Sequence, residues 1–285
     1  MKKLPLPNYH FLDVYNTCIS DCNSKNLTAM RALSLRLPEF ELVYQQRAES
    51  VTLHLTSPSR HGHSEDEVIS NITKADFVGL YDNYLSKAGT NGRVIYDAIR
   101  SSSNGECPLC GISYVSTLDH YLPKARYPLY SVHPHNLVPA CMDCNKGKGS
   151  SVLNTNLDEL FHPYFISLRF INEHWIAAQI IETKPVTAKF YPNLPSSWDN
   201  DSRQRAINHF DGFNLASRYK VQASQFFTMF IEQVRELKHE QNLSTEQIQA
   251  NFINKALNQP PNSISRALME AIAQSEWFCS EGYER

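Results

Sequence analysis

The chain has 285 residues, of which 42% are hydrophobic and 20% are charged, so it can bury a core as one large domain or two smaller ones. A formal net charge of −2 excludes a general attraction to nucleic acid, so affinity for a polyanion requires a local basic patch or a partner protein. The sequence has neither an apolar run long enough to span a bilayer nor a signal-peptide core, and we therefore expect a cytoplasmic protein without a membrane partner.

The first part of the chain is predicted to be helical. Residues 8–50 carry helical periodicity that Pro38 interrupts, and the turn-rich stretch SPSRHGHSED at 57–66 indicates a boundary near residue 60. Residues 1–60 are therefore predicted as an N-terminal helical segment. Between Asp66 and Ser103, apolar residues recur every three or four positions, which predicts two or three short helices at the start of a second segment, 61–165.

The last part of the chain, 166–285, is predicted as a small sheet followed by helices. Three stretches between 164 and 191 alternate apolar with polar or β-branched residues, namely YFISLRFI, HWIAAQII and PVTAKFY, and they predict an antiparallel β-meander. From about Asp201 the pattern is helical, with a capping box at Ser244 and Gln247. The expected fold class is α+β, a mostly helical chain with a small meander.

Two cysteine pairs carry the strongest signal in the sequence. CPLC and CMDC each place two thiols three residues apart, and an odd total of seven cysteines argues against a disulfide framework. Two such pairs can give one tetrahedral zinc ion a closed shell of the structural kind, which predicts zinc ligands at Cys107, Cys110, Cys141 and Cys144. The alternatives are four unmetallated thiols or a redox pair, and the redox pair lacks its usual βαβ context.

Polar residues of the types that can catalyse hydrolysis lie between and beside these cysteine pairs. Asp119 and His120 are neighbours, so on a strand their side chains would point to opposite sides, the carboxylate toward a metal ion and the imidazole toward a water. Asn145 directly follows Cys144 and offers a neutral oxygen ligand. A neutral imidazole can accept a proton near pH 7. The alternative is that Asp119 and His120 are ordinary polar residues of a loop, and that His133 and His135 are packing residues.

The order of these motifs resembles the HNH endonuclease family. The resemblance runs through CPLC, LDHYLPK, NLVPAC and CNKGK, and it implies a ββα-metal motif stapled by a four-cysteine zinc. It implies that His120 is the general base, that Asn136 orients it, and that Asp119 and Asn145 hold a catalytic Mg²⁺ or Mn²⁺. The last position is Asn where many members have His. The implied activity is hydrolysis of phosphodiester bonds, with DNA favoured and RNA, including transfer RNA, as the alternative.

Basic and aromatic residues near the motif are candidates for substrate contacts. Lys148, Lys124 and Arg126 are predicted to contact phosphates, and Tyr127 and Tyr130 follow closely with rings that can stack on exposed bases. In the alternative interpretation the two tyrosines pack beneath the loop and the charges are solvated.

A closer resemblance extends to the segment before the first cysteine pair. FVGLYDNYLSKAGTNGRVIYDAI, together with the motif, is similar to HNH nucleases of the Septu and retron-associated anti-phage systems. This similarity implies an antiviral defence effector in complex with an ABC/SMC-like ATPase. The alternative is a catalytically inactive, zinc-stabilised module that binds nucleic acid or protein.

Overall fold

The computed structural model describes residues 1–284 and divides into two compact units. One unit runs from Lys2 to Ile166 and the other begins at Ser167. The first unit contains both the predicted N-terminal helical segment and the predicted 61–165 segment. Helices dominate and every sheet is a small antiparallel pair, so the predicted α+β class is confirmed.

The first unit holds six α-helices and two β-hairpins. They are α1 (Phe11–Ser20), α2 (Leu27–Leu33), α3 (Leu37–Glu49), β1 (Glu67–Ile69), β2 (Ile72–Thr73), α4 (Lys74–Gly79), α5 (Gly92–Ser101), β3 (Thr117–His120), β4 (Leu137–Ala140) and α6 (Met142–Lys148). A π-helical turn, Leu80–Leu85, continues α4. The short helices predicted between residues 66 and 103 are therefore present.

Local sequence explains where these helices begin. Pro38 lies in the first turn of α3, where its missing N–H has no helical partner to lose. Thr73 and Asp76 form a capping box that starts α4. Gly92 starts α5 at a close approach, because a Cβ there would lie 2.4 Å from the carbonyl oxygen of Tyr84. The absence of a side chain lets α5 pack against the π-helical turn.

The β3–β4 hairpin and α6 together form a ββα unit. The strands pair antiparallel, with Thr117 opposite Ala140 and His120 opposite Leu137. Both strands are largely buried. Only Cys141 separates the end of β4 from the start of α6. The long connection between the strands folds back through two 3₁₀ turns, Pro128–Tyr130 and Pro134–Asn136. This architecture agrees with the ββα arrangement that the resemblance implies.

The second unit is a two-stranded hairpin packed among helices. Its elements are α7 (Arg169–Asn172), β5 (Ile176–Ile181), β6 (Thr187–Pro192), α8 (Asn200–Gly212), α9 (Leu215–Arg235), α10 (Thr245–Leu257), α11 (Ile264–Gln274) and α12 (Glu276–Ser280). The capping box of Ser244 and Gln247 begins α10 as predicted.

The predicted meander has two strands instead of three. YFISLRFI was expected to be a strand, but Ile166 N–H donates to the carbonyl of His162 at 2.8 Å and Asn172 N–H to that of Leu168 at 2.8 Å. Local turns therefore satisfy the backbone, and the segment ends in α7. The segment has the two-residue alternation of a β-strand, but no other strand in the described part of the chain pairs with it.

One asparagine ties the hairpin of the second unit to its helices. The Asn262 side chain accepts from the backbone N–H of Trp175 at 2.8 Å and of Ile176 at 3.1 Å, and it donates to the carbonyl of Glu173 at 2.9 Å. Trp175 and Asn262 are both buried, so these bonds satisfy polar groups that water cannot reach. Within residues 1–284, no helix combines the length and apolar character needed to cross a bilayer.

Candidate metal centre and active site

The four predicted cysteines meet in one buried cluster. Their Sγ atoms all lie within 4.8 Å of one another, and the Sγ atoms of Cys110 and Cys141 are 3.9 Å apart. Tetrahedral coordination with Zn–S bonds of about 2.3 Å places sulfurs about 3.8 Å apart. The predicted clustering of the four cysteines is therefore confirmed, and the cluster could hold a metal ion such as zinc.

Backbone turns on both sides present these thiols. Gly111 N–H donates to the Cys107 carbonyl at 2.8 Å, which closes the first turn, and the Cys144 N–H donates to the Sγ of Cys141 at the start of α6. Hydrogen bonding to Cys107 lowers the pKa of the Cys110 and Cys141 thiols. A thiolate is the form that ligates a metal. Hydrogen bonding within the cluster raises the pKa of the Cys107 and Cys144 thiols, so without a metal ion the thiolate is favoured at only two of the four positions.

Asp119 is a buried carboxylate with a cationic partner. Its side chain is only 8% exposed, and Oδ2 lies 3.0 Å from Nζ of Lys148 on α6. Lys148 also donates to the backbone carbonyl of His120, so α6 is held against β3. Burial raises the pKa of Asp119 and the Lys148 charge opposes that rise. A positive charge next to this buried carboxylate therefore stabilises its ionised form.

His120 is held as a neutral imidazole with one free nitrogen. Its Nε2 lies 2.8 Å from the carbonyl oxygen of Ser131, and a carbonyl only accepts, so Nε2 carries the hydrogen. The neutral ring then has its lone pair on Nδ1. Burial lowers the pKa of His120 to about 3, which keeps the ring uncharged at neutral pH. The ring of Tyr81 meets the imidazole edge-on at 4.3 Å.

Asn136 holds the loop that carries Ser131. Its Nδ2 donates to the carbonyls of Leu122 at 3.0 Å and Tyr130 at 3.1 Å, and its Oδ1 accepts from the Leu122 N–H at 2.7 Å. Tyr130 directly precedes Ser131, whose carbonyl receives the His120 hydrogen bond. Asn136 is therefore connected to His120 through the backbone of this loop.

Asn145 lies on the helix that carries Lys148. It is half-buried on α6, directly after Cys144 and three residues before Lys148, a spacing that puts the two side chains on one face. Lys148 reaches Asp119 from that face. The donor set of one carboxylate and one amide oxygen suits a hard divalent cation. The residues present therefore fit the Mg²⁺ or Mn²⁺ that the resemblance implies.

Two of the three predicted phosphate contacts, Lys124 and Lys148, have acidic partners. Lys124 pairs with Asp82 and lies 4.6 Å above the ring of Tyr81. Arg126 is half-buried, and its Nε has no hydrogen-bond partner within residues 1–284. The suggestion that Tyr127 and Tyr130 stack on bases is wrong, because both rings are buried and pack beneath the loop.

The sequence does not predict two of the contacts that His120 makes, those with Ser131 and Tyr81. Ser131 acts through its backbone carbonyl, which any residue could supply, so its identity carries no signal. Tyr81 lies 39 residues before His120, and its hydroxyl donates to the Leu118 carbonyl on β3. Helical periodicity marks Tyr81 only as a core position. His133, His135 and His162 are buried, in agreement with the packing role given to the first two.

Comparison with known proteins gives one informative match. Protein ea31 of Escherichia phage lambda is 33% identical over 294 aligned positions, which cover 98% of this chain and 99% of that protein. Its name states no activity. No family model and no solved structure matches the chain. The match extends over the whole length, so it includes the ββα unit and everything around it.

Proposed function

The chain belongs to the same protein family as Protein ea31 of phage lambda, and we propose that it is a metal-dependent HNH endonuclease. The observation that carries the proposal is the pairing on one strand of a neutral His120 and a buried Asp119, beside a four-cysteine cluster. The Lys148–Asp119 pair also holds α6 against β3, but an imidazole with an unbonded Nδ1 beside that carboxylate serves no such structural purpose. DNA is the favoured substrate and RNA is the alternative.

The residues divide the chemistry between them. His120 accepts a proton from the attacking water at Nδ1, while the Ser131 carbonyl holds the ring through Nε2. Asp119 and Asn145 would hold a divalent cation, which would supply stabilisation of the negative charge that develops on the phosphate and the departing oxygen. Asn136 keeps the loop and therefore the base in place. Cys107, Cys110, Cys141 and Cys144 hold a structural zinc ion.

Basic side chains supply affinity for the substrate. Lys148, Lys124 and Arg126 contact phosphates in this proposal, and such contacts give binding without sequence information. Lys148 pairs with Asp119, and a divalent cation held by that carboxylate would neutralise it and leave the Lys148 ammonium available to a phosphate. Loss of these charges weakens binding to all sequences equally.

The ATPase partner stays a prediction. The resemblance to nucleases of anti-phage systems supports a complex with an ABC/SMC-like ATPase, and the net charge of −2 supports reliance on a partner for binding nucleic acid. Co-purification of the tagged chain with the product of a neighbouring ATPase gene tests it. Recovery of the tagged chain alone, from cells that express both proteins, contradicts it.

The activity is tested with purified full-length protein on plasmid DNA, single-stranded DNA and total RNA, in Mg²⁺ or Mn²⁺. The wild type cleaves at least one substrate, and His120→Ala loses at least 10²-fold in rate, the lower end of what a general base contributes. His63→Ala, in an exposed loop of the same unit, cleaves at the wild-type rate.

Two results contradict the proposal. Cleavage that persists in His120→Ala removes His120 from the chemistry. Bound zinc without cleavage of any substrate, with either metal and with the ATPase present, favours the inactive zinc-stabilised binding module instead.

A further inference from the structure

Tyr44 reaches the ββα unit from a helix that is not part of it. It lies on α3, and its side chain is almost completely buried, with 1% exposed. Its hydroxyl donates to Oδ1 of Asn136 at 2.9 Å and lies 3.2 Å from Nε2 of His162. These contacts join residues 92 and 118 positions apart. Helix α3 is thereby connected to the asparagine that holds the active-site loop.

Backbone partners fix the direction of each hydrogen bond. The Leu122 N–H can only donate, and the Leu122 and Tyr130 carbonyls can only accept, so the Asn136 amide has one orientation. Oδ1 therefore faces Tyr44, whose single hydroxyl hydrogen must go to it. His162 must then donate from Nε2 to the tyrosine oxygen. Its Nδ1 accepts from the Tyr164 N–H, as that tautomer requires.

The tyrosine ring also supports the loop. It packs against the ring of Tyr130 at 5.2 Å and stacks on His133 at 4.6 Å. Burial raises the pKa of Tyr44 well above its usual value, so the hydroxyl keeps its hydrogen over the whole useful pH range. Oδ1 of the buried Asn136 therefore accepts two hydrogen bonds at every such pH, one from the Tyr44 hydroxyl and one from the Leu122 N–H.

We propose that Tyr44 is a positioning residue for His120, an inference that rests on the proposed nuclease function. It acts through Asn136, which fixes the Tyr130 carbonyl, and through the next residue, Ser131, whose carbonyl orients the imidazole. Without the hydroxyl, Asn136 loses one of its two donors on Oδ1, and the His162 Nε2–H loses the tyrosine oxygen as an acceptor. The loop then gains freedom, and small displacements of a catalytic group reduce the rate without changing how the substrate binds.

The test compares two buried tyrosine-to-phenylalanine substitutions in the full chain. Tyr44→Phe removes the hydroxyl bonded to Asn136, whereas Tyr15→Phe removes an equally buried hydroxyl that donates to the Met30 carbonyl. We expect Tyr44→Phe to lower kcat about 10-fold with an unchanged KM, against a cost near 10²-fold for a full 1 Å displacement. Tyr15→Phe keeps the wild-type kcat. Equal kcat values in all three proteins overturn the proposal.

A spectroscopic measurement separates this inference from the proposed function. The imidazole ¹⁵N chemical shifts of His120, assigned by their loss in His120→Ala, report whether Nε2–H still donates to Ser131. We expect them to change in Tyr44→Phe and to stay unchanged in Tyr15→Phe. If the wild type cleaves nothing, the nuclease function fails, yet this shift still decides whether Tyr44 positions His120. Unchanged shifts in Tyr44→Phe overturn the proposal.

Thermodynamic coupling provides a further check that needs no cleavage. If Tyr44 acts through Asn136, the losses of stability in Tyr44→Phe and Asn136→Ala are not additive in the double variant, as measured by urea unfolding. Additive losses contradict the route through Asn136.

Discussion

At the scale of single residues, the site depends on how one buried charge is compensated. Asp119 sits in a desolvated position, and Lys148 provides the neighbouring positive charge at 3.0 Å. Desolvation of such a pair costs several kcal/mol, and loss of one partner leaves the other uncompensated. A divalent cation bound by Asp119 would provide the same compensation, so lysine and metal ion stabilise the same carboxylate.

This exchange predicts how a lysine variant responds to metal. In the absence of divalent ions, Lys148→Met loses about 3 kcal/mol of unfolding free energy because Asp119 stays buried without its cation. Saturating Mn²⁺ at about 100 times its Kd returns about 2.7 kcal/mol. The gain in wild type is smaller, since the ammonium competes with the ion. Urea unfolding with and without Mn²⁺ measures both values.

Lys146→Met is the matched control for this experiment, because Lys146 is an exposed lysine on the same helix. It is expected to leave both the stability and the response to Mn²⁺ unchanged. A response to Mn²⁺ that is equal in Lys148→Met and wild type would show that Asp119 does not hold the ion.

At the scale of elements, the packing of α5 against the π-helical turn depends on a residue without a side chain. A methyl group on Gly92 would lie 2.4 Å from the Tyr84 carbonyl, so Gly92→Ala forces backbone to move and costs about 1–3 kcal/mol. Gly79→Ala, on α4, meets its nearest atom at 3.6 Å and gains about 0.5–1 kcal/mol from helix propensity. Thermal unfolding of both variants measures the contrast, and equal Tm values contradict the packing argument.

The cysteine cluster joins β4 and α6 to the turn that precedes β3, so a metal ion bound there would hold these elements together. Cys110→Ser is expected to reduce bound zinc to background and to speed amide exchange in β3, β4 and α6, because metal binding free energy is folding free energy. Zinc analysis and hydrogen exchange measure these effects. Cys279→Ser changes a buried cysteine outside the cluster, so its zinc content stays at the wild-type level. Full zinc occupancy in Cys110→Ser contradicts the assignment of ligands.

The sequence predicts those elements that short-range chemistry determines. Cysteine spacing predicts the metal cluster because coordination geometry tolerates few arrangements, and the capping box at Ser244 locates the start of α10. Alternation fails for YFISLRFI, where local turns satisfy the backbone in place of a partner strand. The role of Tyr44 depends on a contact across 92 residues, which no local pattern records.

At the scale of the whole molecule, buried histidines make stability depend on pH. Burial lowers the pKa of His133 and His162 well below 6.5, so both are neutral in the folded state. Below about pH 6.5 the unfolded chain binds protons at these positions that the folded chain does not. Their contribution to stability is therefore present above pH 6.5 and is lost as the pH falls toward the lower folded-state pKa values.

Well below pH 6.5, each of these histidines lowers the unfolding free energy by about 1.4 kcal/mol for every unit that the pH falls. We expect His133 and His162 together to lower the unfolding free energy from urea titrations by about 2.4 kcal/mol between pH 6 and pH 5, because the unfolded histidines are already largely protonated at pH 6. His162→Gln removes one ionisable group and reduces the slope by about half of that amount. A slope that is the same in the variant and wild type contradicts this account.

The separation of the cysteine pairs along the chain also affects how the protein is made. Thirty residues lie between Cys110 and Cys141. At a synthesis rate of 5–20 residues per second, the first pair waits roughly 2 to 6 s for the second. During that interval two thiols can offer a zinc ion only half of its shell, and the strand with Asp119 and His120 is completed before the metal site can close. The nascent chain therefore contains Asp119 and His120 before all four cysteines of the cluster are present.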